Sequence, residues 1–143
     1  PHFKLESFNF LFKGFNMTDA KDVDEKIRWL DDVEAHDYTA AQSYLGLVYK
    51  DDLVIQVVED LRQSALTRFA AKDIFRASEL AMLDDKNSHV QSNWKKIKDK
   101  KSISPLLLVR NAHNGKVIVA DGYHRLCAVY LVDEDAWVPC KIA

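Results

Sequence analysis

Apolar residues in the first half of the chain recur at helical spacing. In "DVDEKIRWLDDVEAHDY", Val23, Ile27, Leu30 and Val33 fall three or four residues apart, with acids early in the run. That pattern predicts an amphipathic helix whose positive dipole end carries the acids. A second helix is expected over residues 38–49. A third is expected over residues 51–63, with Leu53, Val57, Val58 and Leu61 as its apolar stripe. Asp37 and Asp51 stand where N-caps of these two helices belong.

After Ser64 the period changes. "LTRFAAKDIFRASEL" reads as a strand followed by a brief helical turn. "NSHVQSNWKKIKDKK" is a helix with Asn87 or Ser88 as its cap and Val90, Trp94 and Ile97 as its inward stripe. "PLLLVR" and "KVIVA" are apolar runs of strand length joined by "NAHNG", whose Asn-Gly step predicts a hairpin turn. A helix follows over residues 122–131, with Asp121 placed to cap it, and "WVPCKI" returns as a last strand. Pro139 lacks a ladder donor, which predicts an edge position for that strand. The expected fold is α+β within one domain: a helical part over residues 17–66 covers a mixed part over residues 67–143. Met17 is read as a natural start, with residues 1–16 a tag or an upstream extension.

Composition narrows the classes of function. A net charge of -2 provides no overall attraction to nucleic acid or anionic lipid, so such binding needs a local patch. No apolar run approaches the roughly 18 residues of a membrane helix. The phenylalanine-containing N-terminus lacks the layout of a signal peptide. Cys127 and Cys140 are the only cysteines and have no CxxC spacing, which implies a reducing, cytoplasmic setting.

The candidate chemistry gathers in "ADGYHR", where a buried strand turns into a helix. The first amides of a helix have no internal partner and carry the positive end of its dipole. Gly122 has no β-carbon to keep a ligand from the backbone. Arg125 adds a charged fork, and His124 adds a donor that titrates near neutrality. Asp121, Gly122, Tyr123, His124 and Arg125 together make an anion site, best suited to phosphate. A plainer role is open for each: Asp121 as a cap, His124 as a surface residue, and Arg125 paired with Asp133 or Glu134.

The segment "SISPLLLVRNAHNGKVIVADGYHRLCAVYLVDEDAWVPCKI" resembles the ParB/sulfiredoxin-like superfamily. The likeness rests on the order of parts: a helix over residues 90–100, the Pro-apolar run at 105–109, a hairpin, the Gly-x-x-Arg turn at 122–125, and a closing strand at 138–142. It covers roughly residues 69–143 and leaves the helical first half outside. The resemblance implies that Gly122, His124 and Arg125 contact nucleotide phosphates, with ATP or CTP and Mg²⁺ as the expected cofactors. Two departures qualify this. The superfamily includes an ATP-using cysteine sulfinic acid reductase, whose reactive cysteine is replaced here by Tyr123, and a CTP-dependent DNA-partition clamp, whose metal-linked glutamate is absent from "GYHR".

Further candidates surround the turn. Asn87 and His89 fall where the superfamily often places a second polar contact, although Asn87 or Ser88 can simply cap a helix. Asp84 and Asp85 are candidates to hold the metal, since Mg²⁺ uses one or two carboxylates with phosphate oxygens. Glu79 serves as general base if it faces the turn. A zinc site from His124, Cys127, Cys140 and His113 matches no recognised spacing, and the two cysteines read better as small core residues. The five lysines of "KKIKDKK" read as a solvated helix end. The sequence therefore predicts a nucleotide- or phosphate-binding protein that carries out phosphoryl or nucleotidyl transfer with Glu79, His124 and Arg125. The alternative is a non-enzymatic module that senses a nucleotide or small anion and docks a homodimer mate or protein partner through its helical half. Nucleic-acid cleavage has the least support.

Overall fold

The structure, a computed structural model, describes residues 26–143. The expectations for residues 1–16, a start at Met17 and Val23 lie outside the described residues. Two helices come first, α1 (Ala35–Leu45) and α2 (Asp51–Gln63). Strand β1 (Thr67–Ala70) runs directly into α3 (Ala71–Ser78), and α4 (Ser88–Lys98) follows. The chain ends with β2 (Leu106–Asn111), β3 (Lys116–Asp121), α5 (Tyr123–Val132) and β4 (Trp137–Ile142). The fold is α+β, with five helices and one mixed four-stranded sheet, ordered β1-β4-β2-β3, among the described residues. β2 and β3 form the expected antiparallel hairpin, β4 runs parallel to β2, and β1 is antiparallel to β4.

Each face of the sheet buries its own core. Leu106, Leu108, Val119, Val138 and Cys140 meet Ile74, Val90, Ile97 and α5's Leu126 and Val129 on one side. On the other, Leu107, Val109 and Ala120 meet Ala41 and Leu45 of α1 and Val54, Val58 and Leu61 of α2. This alternation along β2 is the period-two signature of a strand covered on both faces. The helical half is thus the second cover of the sheet.

Four local expectations are corrected. Residues 26–34 are not helical. Trp29 instead bridges Ile103 in parallel, with Leu30 N–H donating to Ile103 O at 2.8 Å and Ile103 N–H donating to Arg28 O at 2.9 Å. Backbone pairing with a segment about 70 residues away overrides a local helical period. Second, Asp37 and Asp51 lie inside the first turns of α1 and α2, and the caps are Glu34 and Lys50. The acids still complement the dipole. Third, the inward stripe of α2 is Val54, Val58 and Leu61, while Leu53 is 46% exposed. Finally, β4 is an interior strand. The Ala143 amide and carbonyl both bond β2, so alternation turns Pro139 to the same side. The ladder with β2 begins at Leu106 and Cys140, one residue beyond the proline. Pro139 therefore removes no rung, and an interior strand tolerates it.

Candidate functional site

The turn from β3 into α5 is shaped by Gly122, whose φ of 107° lies in the left-handed region that favours glycine. A β-carbon there would sit 2.7 Å from Leu106 Cγ and 3.1 Å from Arg125 Nη2. Gly122 is needed for close packing at this point, and the space beside it belongs to Leu106 and Arg125. A bulge between Leu107 and Leu108 shifts the β2–β3 register just before the turn, pairing Leu107 with Asp121 and Leu108 with Val119. Bulges of this kind re-aim side chains at strand ends.

Asp121 does not cap α5; the cap is Gly122, without a side-chain bond. Asp121 Oδ2 instead accepts from Arg125 Nη2 at 2.9 Å. The same nitrogen donates to Pro105 O at 3.2 Å and to Asp37 Oδ2 at 3.3 Å. Asp37 is almost fully buried, and its other carboxylate oxygen lies 3.3 Å from His36 Nε2. Neither Asp133 nor Glu134 is the partner of Arg125. The segment strapped to Ile103 explains the meeting: Glu34 N–H also donates to Ser104 Oγ at 3.1 Å, which anchors the start of α1 beside the turn. Burial raises the Asp121 carboxyl above its ordinary value, Arg125 opposes the rise, and Asp37 adds to it. Arg125 Nε is buried without a hydrogen-bond partner among the described residues.

The His124 ring has aromatic neighbours. It lies 4.9 Å from the ring of His89, centroid to centroid, and 5.4 Å from that of Tyr123. His89 is the second residue of α4, and His124 is the second of α5, so two helix starts converge here. Burial, and then His89, lower the His124 pKa from its ordinary value. Tyr123 Oη donates to Ala81 O at 2.6 Å, tying α5 to the loop before α4. Burial raises the tyrosine pKa. The α5 amides of Tyr123, His124 and Arg125 enter no described hydrogen bond, as a helix start requires.

The remaining candidates separate. Asn87 is the cap of α4: its Oδ1 accepts from His89 N–H at 2.9 Å and Val90 N–H at 3.1 Å, so that oxygen is committed to the helix. Asp84 and Asp85 are exposed. Asp84 Oδ1 accepts from Lys86 N–H, closing a tight turn. Among the described residues no group of three His, Cys, Asp or Glu side chains is placed to hold a metal. Glu79 closes α3 in a left-handed conformation and pairs with Lys116 at 3.1 Å. Lys116 opens β3 and Asp121 ends it, so this pair anchors at the strand's far end, on the order of 16 Å along the backbone from the turn.

Cys127 and Cys140 are buried and free. Burial raises both thiols, Cys140 to about 12. They are core residues and not nucleophiles. His113 is exposed in the hairpin loop. No helix among the described residues is long and apolar enough to cross a membrane.

Sequence reasoning missed Asp37 and the Pro105 carbonyl as partners of Arg125, since they lie 88 and 20 residues away in the chain. The local signal at Asp37, an acid before a helix, has an ordinary capping explanation. Comparison with protein-family models, with curated proteins and with solved structures finds no match.

Proposed function

We propose that the chain is a ParB/sulfiredoxin-like phosphate-binding protein that takes a nucleotide or another small phosphate at the start of α5. The observation that carries this reading is the convergence of two helix starts, with His89 and His124 4.9 Å apart beside the unspent amides of α5. Helix starts offer oriented donors and a positive dipole end to an oxyanion. A bound phosphate adds the negative charge that His124 lacks as a neighbour, and so favours its protonated form.

Arg125 enters in a different role from the one expected. Its guanidinium is compensated by Asp37 and Asp121, so it positions α5 against β2 and α1 and leaves the charge at the ligand to the amides and histidines. The Glu79–Lys116 ion pair leaves no expected base beside the turn. Binding without transfer, the nucleotide-sensing alternative, is therefore the better-supported form of the proposal.

The test is calorimetric titration with ATP, ADP, CTP, GTP and inorganic phosphate, with and without Mg²⁺, against His124→Ala and His89→Ala. Arg125→Ala is unsuitable because it strands the buried carboxylate of Asp37 and the partly buried one of Asp121. The expected result is saturable binding that strengthens as pH falls through the histidine range and weakens about five- to tenfold in either variant, the size of one charge-assisted hydrogen bond. Absence of binding by every one of these ligands to the folded protein would overturn the proposal. Release of inorganic phosphate or transfer to an acceptor, followed in the same samples, would restore the catalytic reading.

A further inference from the structure

A second concave site lies on the α3 face of the sheet. α3 has eight residues, about 12 Å of helix, and among the described residues it leaves part of that face uncovered. The result is a cavity of about 380 Å³, open to solvent at one side. Each strand contributes one apolar wall: Phe69 from β1, Leu108 from β2, Val117 from β3 and Ile142 from β4. The volume falls at the lower end of the range of small-molecule pockets.

The rim is charged and unevenly so. Arg76, Asp73 and Arg110 all line the cavity. Arg76 Nη2 pairs with Asp73 Oδ1 at 3.1 Å, which compensates one of the two cations. Arg110 has no ion pair among the described residues. Its backbone is fixed in the ladder by the bond from its amide to Ala143 O at 2.8 Å, so the side chain springs from a rigid strand. An apolar chamber whose mouth carries one guanidinium without an ion pair among the described residues complements a monoanion with an apolar body. A guanidinium holds a carboxylate through two parallel hydrogen bonds, which gives orientation as well as attraction.

We propose that this cavity binds a small carboxylic acid with an aryl or medium-chain alkyl body, the carboxylate held by Arg110 and the body against Phe69, Leu108, Val117 and Ile142. The site is separate from the phosphate site. Val117 lies four residues before Asp121 on β3, on the order of 13 Å away along the strand, and no residue is shared between the two.

The experiment is titration of the protein with octanoate and with its neutral counterpart octanol. Arg110→Gln keeps a polar side chain without the charge, and Ala77→Phe, on the exposed rim of α3, narrows the chamber. Circular dichroism and the thermal midpoint verify that both variants fold. Octanoate is expected to bind one site saturably and about tenfold or more tighter than octanol. In Arg110→Gln that preference is lost, because the charge-assisted bonds are gone. In Ala77→Phe both ligands weaken. Octanoate binding that is indifferent to Arg110→Gln would overturn the proposal, as would no saturable octanoate binding to the folded wild type.

Discussion

Two residues at the turn carry most of its physical demands. Gly122 combines a left-handed backbone with a position where an added β-carbon would lie 2.7 Å from Leu106 Cγ, so alanine there meets both a conformational and a steric penalty. The two together destabilise the fold by roughly 2–4 kcal/mol in Gly122→Ala, from the left-handed cost and from overpacking. Urea denaturation measures it, and a change below about 0.5 kcal/mol would mean that Leu106 moves aside freely. His124 sets a pH dependence of the opposite origin. Burial and His89 hold its folded pKa below 6.5, so the unfolded chain takes up the proton first as pH falls. The stability attached to this group is present above pH 6.5 and is lost as pH drops through that value toward the lower folded one. His124→Gln should therefore flatten the acid side of a stability–pH curve relative to wild type. Parallel curves for the two proteins would show that the imidazole titrates freely in the fold.

At the level of elements, what was legible depended on how local the cause was. α2 has the bounds its pattern predicts, and α4 is capped by Asn87 through two short-range bonds, so eleven residues around it suffice to read that helix. The β2–β3 hairpin is likewise announced by its own turn. Where the cause is distant, the reading fails. Ile27, Leu30 and Val33 keep a helical spacing, yet the backbone there pairs with Ile103. The parallel partnership of β2 and β4 makes Pro139 harmless in a way no window around it reveals. The candidate site divides along the same line. The strand-to-helix turn was readable locally; the nearness of His89 to it was expected only from the family resemblance, and the partners of Arg125 and the distance of Glu79 were not readable at all. A local cause also yields a local prediction. Asn87→Ala removes the acceptor for two amides of α4 and should cost about 1 kcal/mol. Because His89 follows the cap directly, the same change should broaden the His89 ring resonances in NMR spectra. Unchanged stability with sharp resonances would mean that solvent replaces the cap at no cost.

Across the whole molecule, the sheet joins two apolar layers, and two buried polar links cross it. Arg125 of α5 reaches Asp37 of α1 past the end of β2. Lys141 of β4 is buried beneath the helical pair, where its Nζ donates to Arg62 O at 3.1 Å, lies 3.4 Å from Asp32 and stands 5.7 Å from the centre of the Tyr38 ring. The ring also has Arg62 over it at 4.5 Å, so Tyr38 is held between two cations. Each link is satisfied only while both layers are docked, and a buried charge left alone is costly. The two layers should therefore unfold together. Far-UV circular dichroism, to which α1 and α2 contribute, and fluorescence from Trp29, Trp94 and Trp137, none of which lies in α1 or α2, should give coincident urea transitions. Asp37→Leu should move both transitions together, by about 2–3 kcal/mol, since it leaves Arg125 with one carboxylate, a loss that relief of the Asp37 charge on Asp121 offsets only in part. Lys141→Met, which keeps the stem and deletes the ammonium, should cost about 1–2 kcal/mol through the lost bond to Arg62 O. If the circular dichroism transition moved in either variant while the tryptophan transition stayed in place, the helical pair would be an independently melting cover, and the links at Asp37 and Lys141 would tether it without coupling it to the sheet.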